Sequence, residues 1–196
     1  MTRVPTWVVN MGGTSKLPWE AANVVAEAFI HHMTPHAERI AVAGSLRRHK
    51  DEVGDIEIVM IPKTYQEKNL LGEPDGPMLD TIEEGIESYI RCESLPDKPA
   101  LRKLNDGQRY LKLHEDIVGV QIDLFIVRPP AQWGPIISIR TGSADFSKRL
   151  VIALRTKGLR CEDGRVLDGQ GKVLSCPEEI DFFRACGVKM INPINR

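Results

Sequence analysis

The chain reads as an α+β protein: a mixed or antiparallel sheet covered by helices, followed by a small α/β subdomain. Three observations predict this. Runs of strand period stand at Glu38 to Ala43, Asp55 to Met60, Arg109 to His114 and Val118 to Val127. Two stretches of helical period are interspersed with them, one carrying Ala21, Val24, Val25, Ala28 and Phe29, the other Leu79, Ile82, Ile86, Tyr89 and Ile90. Finally, Arg128-Pro129-Pro130 interrupts the last long strand, and a shorter series of elements follows. The expected boundary puts residues 1–130 in the sheet-bearing part and 131–196 in the smaller one.

Taken in order, residues 1 to 16 lack periodicity apart from Trp7-Val8-Val9, and Gly12-Gly13 breaks them, so an irregular lead-in or short edge strand is expected. Leu17-Pro18-Trp19-Glu20 opens a helix with proline near its first turn, and Pro35 ends it. After the strands at 38–43 and 55–60, Pro62 to Leu71 is expected to be a loop with a short helical piece. Leu71 to Pro77 is dense in turn residues, and Met78 to Cys92 is an amphipathic helix. The short link Glu115-Asp116-Ile117 makes the next two strands an antiparallel hairpin. Beyond the double proline, Trp133 to Ile139 is short and apolar, Thr141-Gly142-Ser143 is a tight turn, and Ala144 to Lys157 is a helix burying Phe146, Leu150, Val151 and Leu154, with Gly158 at its C′ position. Short strands around Arg165-Val166-Leu167 and Lys172-Val173-Leu174 precede a last helix, Glu178 to Cys186, opened by Pro177.

Composition narrows the class. A chain of 196 residues, 42% hydrophobic and 27% charged, is ordinary for a globular protein able to build a core. No run of 18 apolar residues and no signal-peptide pattern occurs, so an intracellular protein without a membrane partner is expected. The four cysteines are scattered without a C-x-x-C, and the five histidines form no zinc-ligand spacing and are expected at surfaces or helix ends. Net charge is −1, which argues against strong non-specific nucleic-acid binding, but its distribution is uneven. From Arg128 to Arg160 seven basic residues face the single acid Asp145, whereas Glu67 to Asp97 is acidic. Such a dipole can orient a molecule on a phosphate backbone.

The chemistry concentrates between Ala41 and Met60. Alternation puts Asp55 and Glu57 on one strand face and Ile56, Ile58 and Met60 on the other. Two carboxylates held side by side repel unless a cation sits between them, and a hard divalent ion with oxygen ligands, Mg²⁺ above all, suits them. Just upstream, Gly44 permits close backbone approach, Ser45 offers a hydroxyl, and Arg47 or Arg48 can take a phosphate bidentately. A phosphate clamp beside a metal pair means nucleotide chemistry.

This pattern resembles the signature of the nucleotidyltransferase superfamily and, more closely, the DNA polymerase X family of beta-like polymerases. The family's Gly-Ser-x-x-Arg, Gly-Asp-x-Asp, strand-borne third Asp and Thr-Gly-Ser turn have ordered counterparts in Gly44 to Arg48, Gly54 to Glu57, Asp123, and Thr141-Gly142-Ser143. The resemblance covers roughly Leu17 to the C-terminus and implies a minimal palm-plus-thumb form, without abasic-site lyase activity. For Asp123 the alternative is an ion pair with Lys112 or Arg109 across the hairpin.

What the resemblance implies is a DNA-directed polymerase that uses two Mg²⁺ ions, or Mn²⁺ in their place, on Asp55, Glu57 and Asp123. It would act on a nucleoside triphosphate and a primer-template or gapped DNA, in low-fidelity gap-filling repair. Gly44, Ser45 and Arg48 would hold the β and γ phosphates, and Arg140, Thr141, Gly142 and Ser143 would bind the nucleotide. Lys148, Arg149 and Arg155 would contact nucleic acid. Two departures stand out: Glu57 replaces the usual Asp, and Ile139-Arg140 replaces an aromatic pair, which relaxes sugar discrimination. The competing readings are a template-independent or RNA- or small-substrate nucleotidyltransferase, and an inactive DNA-binding module.

Overall fold

The computed structural model describes residues 16–95 and 99–196. The expected lead-in at 1 to 16, all but its last residue, lies outside them. Elements follow in the order β1 (Leu17–Pro18), α1 (Trp19–Met33), a 3₁₀ turn (Thr34–His36), β2 (Ala37–Val42), α2 (Gly44–Arg47), β3 (Glu52–Val53), β4 (Asp55–Pro62), β5 (Thr64–Lys68), β6 (Pro74–Asp80) and α3 (Ile82–Glu93). Then come β7 (Leu101–Asp106), β8 (Tyr110–Glu115), β9 (Val120–Ile126), α4 (Trp133–Thr141), α5 (Ala144–Thr156), β10 (Arg160–Glu162), β11 (Arg165–Leu167), β12 (Val173–Leu174) and α6 (Glu179–Cys186), with a final 3₁₀ turn at Pro193–Asn195. The protein is α+β, with six helices among the described residues and a mixed central sheet. Among the described residues no helix is long and apolar enough to cross a membrane.

The central sheet has the order β2-β4-β9-β8-β7. All its neighbours are antiparallel except β4 and β9, which run parallel in the middle. A parallel pair needs a long crossover, and the chain supplies it as β5, β6, α3, β7 and β8. The β8–β9 hairpin expected from its short link is present, and buried Glu115 closes it by accepting the N–H groups of Ile117 and Val118 at 3.2 and 2.7 Å.

Period-2 alternation sorts the two faces. Ile56, Ile58 and Met60 of β4 and Ile122, Leu124 and Ile126 of β9 point into the main core, where Val25, Phe29 and Met33 of α1 and Ile82, Ile86 and Tyr89 of α3 cover them. The opposite face is apolar at one end only. Val59, Phe125 and Val127 pack there with Ala43 and with Trp133 and Ile137 of α4. A third cluster of Phe146, Leu150, Leu154, Phe182 and Phe183 joins α5 to α6. The four cysteines are free thiols.

Several expected elements differ. The stretch expected as loop and turn between Pro62 and Pro77 is the antiparallel hairpin β5–β6, and the helix expected from Met78 begins at Ile82 because Met78 to Asp80 belong to β6. Pro74 and Pro77 are tolerated because a two-stranded hairpin leaves N–H positions that no neighbour needs. The apolar Trp133 to Ile139 run is helix α4, and β7 and β10 are additional strands. Val151 is half-buried rather than core.

Candidate active site

Where the second sheet face loses its apolar cover, it carries carboxylates. Parallel pairing puts Asp55 level with Gln121 and Glu57 level with Asp123. All three acids share the face away from the main core and line one cavity of about 610 Å³, together with Arg109, Tyr110, Phe125, Arg140 and Asp163. Asp123 is buried and doubly held: the Tyr110 hydroxyl donates to Oδ1 at 2.9 Å and Gln121 Nε2 donates to the same oxygen at 2.7 Å. Lys112 is its cross-strand neighbour, while Arg109 pairs with Asp163 rather than with Asp123.

Crowding shows in the proton affinities. Burial, reinforced by Asp55 and Asp123, pushes the Glu57 carboxyl up to about 7 against the pull of Arg140 and Arg48. Burial and Asp123 raise Asp55 as well, opposed by Lys112 and Arg48. Burial, together with the bond to Asp123, pushes the Tyr110 phenol up to about 12, so it remains a donor at neutral pH. Among the described residues, no three His, Cys, Asp or Glu side chains converge into a ready-made metal cage. Removal from water, and after it the repulsion between neighbouring carboxylates, makes Asp55 and Glu57 hold their protons more tightly.

Gly44 to Arg47, upstream of β4, form a single helical turn. Gly44 has φ +58°, and a Cβ there would overlap the Glu57 carboxylate. The close approach that this glycine permits is therefore to Glu57 itself. Ser45 Oγ and Arg48 Nε are buried and have no hydrogen-bond partner among the described residues. Arg48 donates to the Thr141 carbonyl at 2.7 Å. Arg47 makes a different set of bonds: it donates to Thr141 Oγ1 at 2.6 Å and spans both oxygens of Glu179 at 3.1 and 2.9 Å.

Thr141, Gly142 and Ser143 link α4 to α5. Gly142 is required by packing, since a Cβ would press on Phe146 and Ser147, and Ser143 caps α5 by accepting the Phe146 N–H at 3.4 Å. The two arginines thus draw this linker against the Gly44–Arg48 turn. Arg140 leaves α4 toward the cavity and lies over the Phe125 ring, 3.8 Å from its centre; Phe125 in turn stacks on Tyr110 at 5.1 Å. Lys148, Arg149 and Arg155 are exposed on α5; Lys148 and Arg155 flank an apolar groove of about 380 Å³ lined also by Val151 and Ile152.

The fold therefore gathers Asp55, Glu57, Asp123 and Arg140 in one cavity, with Gly44 in contact with Glu57. It holds Ser45, Arg48 and the Thr141–Ser143 linker next to that cavity rather than in its wall. Lys148, Arg149 and Arg155 stand on a separate surface. Three site residues were not read from the sequence: Tyr110 and Gln121, which hold Asp123, and Glu179, which holds Arg47. Gln121 could have been found, two positions from Asp123 on one strand; Tyr110 required the hairpin register. No protein-family model matches the chain, and no curated protein matches it.

Proposed function

We propose that this chain is a divalent-metal-dependent nucleotidyltransferase of the DNA polymerase X type, which adds a nucleotide to a primer 3′-hydroxyl with release of pyrophosphate. The reading rests on one observation above all: Glu57 and Asp123 stand level on adjacent parallel strands, with Asp55 on the same face of the same cavity. In the palm-plus-thumb description the sheet-bearing part is the palm and α4 to α6 the thumb.

The residues present fit the metals this chemistry requires. Three carboxylates share one wall, two of them with raised proton affinity, and an unpartnered buried hydroxyl and guanidinium N–H stand beside them. Asp55, Glu57 and Asp123 would hold the ions; bound there, divalent cations activate the attacking hydroxyl and neutralise triphosphate charge. Tyr110 and Gln121 fix the orientation of Asp123 through one oxygen. Ser45 and Arg48 offer the donors suited to β and γ phosphates. Arg140 stands near enough to the carboxylates to take a phosphate or sugar oxygen, and α5 supplies Lys148, Arg149 and Arg155 to a strand backbone.

Template-independent addition is the second reading. It is favoured by the α5 groove, whose Val151 and Ile152 offer a base edge no hydrogen bond. Extension of a labelled primer on recessed, gapped and single-stranded substrates, with each deoxynucleotide and ribonucleotide separately, decides between the two. The expected result is metal-dependent extension that Asp123→Ala abolishes with the fold intact, and measurable ribonucleotide incorporation. Near-normal turnover by Asp123→Ala would sink the proposal.

A further inference from the structure

A second cavity, of about 360 Å³, opens beside the carboxylate cavity and shares Arg109, Ile126, Ala131 and Asp163 with it. Its remaining wall includes Arg128, at the corner where β9 leaves the sheet, and Arg165, at the start of β11. Three guanidinium groups thus meet in one notch. Two carboxylates answer them: Asp80 pairs with Arg128, and Asp163 pairs with Arg109 and stands 3.9 Å from Arg165. Among these five side chains one positive charge is in excess, with Asp55, Glu57 and Asp123 standing in the adjoining cavity.

Two of its donors are also unmatched. Arg128 Nη1 and Arg165 Nε are removed from water and have no hydrogen-bond partner among the described residues. A buried guanidinium N–H without an acceptor is costly, and native structures rarely leave such donors without a purpose or a ligand. The acceptor that matches several guanidiniums at once, with excess positive charge and forked donors, is a phosphate.

We propose that this notch is a phosphate site, formed by Arg109, Arg128 and Arg165 and continuous with the carboxylate cavity. Its oxygens would take up the two unmatched donors as the half-buried Arg128 and Arg165 side chains turn toward the ligand. The phosphate chemistry stands on the cluster itself. That the phosphate belongs to a nucleic-acid strand running on from the carboxylate cavity rests on the nucleotidyltransferase reading; the other source is a free phosphate or pyrophosphate.

The test uses the full chain without divalent cation or nucleotide, so its outcome is independent of turnover. Inorganic phosphate and pyrophosphate are titrated in one arm, and a single-stranded oligonucleotide, with and without a 5′-phosphate, in the other. The Nε–Hε signals of Arg165 and Arg128 are followed by ¹⁵N NMR, and oligonucleotide affinity is followed against salt. Saturable shifts with the free anions alone identify a free-phosphate site, and shifts with the oligonucleotide identify a strand site; a requirement for the 5′-phosphate assigns it to a strand end. For a strand site, Arg109→Ala and Arg165→Gln should each flatten the log-affinity against log-salt slope by about 0.7, the value for one single-strand phosphate contact. The proposal is overturned if no probe moves either signal in the unaltered protein. It is equally overturned if the doubly substituted chain, with unchanged thermal midpoint, binds every probe as tightly as the parent. Should the variants fail to fold, the signals of the unaltered chain decide alone.

Discussion

Adjacent residues of one type can have separate duties, and Arg47 and Arg48 are the sharpest case. From sequence both are phosphate candidates, with Arg48 preferred by its place in the Gly-Ser-x-x-Arg pattern. Their environments divide them. Arg47 spends its guanidinium on Glu179 and Thr141, whereas Arg48 makes one bond, to a carbonyl, and keeps a buried Nε without an acceptor. Arg47→Ala should therefore act on the fold. Losing one partner of a largely buried ion pair costs about 3 kcal/mol, at the low end of the range because Arg196 still faces Glu179. A denaturant midpoint measures it. Arg48→Ala should lower that midpoint less, since it removes one bond, to the Thr141 carbonyl, and no ion pair. On the nucleotidyltransferase reading it should raise the nucleotide KM by about one to two decades, the worth of a charge-assisted hydrogen bond. An Arg47→Ala protein of parental stability but raised KM would reverse the assignment.

At the scale of elements, legibility followed burial. Strands β4 and β9 were readable because one face is wholly apolar and a carboxylate on the other breaks the run, so alternation and chemistry were visible together. The hairpin β5–β6 was not, since nearly all its residues are exposed and no apolar period marks it; its Gly and Pro residues read as turns. Helix α4 was missed for another reason. Nine residues with three isoleucines and an early Gly-Pro have weak helical propensity, and what holds them helical is packing on α6 and the sheet. Gly134 is the contact point: any Cβ there would meet the carbonyl oxygens of Cys176 and Glu178. Gly134→Ala is thus expected to prise α4 from the entry to α6 and cost about 2 kcal/mol, as overpacking does. Thermal denaturation gives the value, and a neutral result would mean that backbone here yields more easily than the contact implies.

For the whole molecule, the question is what keeps α4 to α6 seated on the sheet, because Arg140 reaches the carboxylates only while they are. Besides the apolar contacts around Trp133, the junction is ionic. Arg39 bonds Glu178 at 2.7 and 2.8 Å and lies over the Trp133 ring at 4.2 Å, while buried Glu179 sits between Arg47 and Arg196. Burial alone would push the Glu179 carboxyl up, but the hydrogen bonds from Arg196 and Arg47 hold it below its ordinary 4.5. The sign of the linkage follows. Above 4.5 the carboxylate is ionised whether the chain is folded or unfolded, and the ion pairs contribute in full. That contribution is lost as pH falls through the lowered folded-state value, where the proton leaves two arginines facing a neutral group. Acid should therefore loosen this junction, and Trp133, buried at the joint, reports it. In a Trp7→Phe, Trp19→Phe background its emission should shift to the red below about pH 4.5. With Glu179→Gln the shift should already be present at neutral pH and vary little with acid. A Gln variant that titrates like its parent would place the acid-sensitive joint at another carboxylate, with Glu178 the next to test.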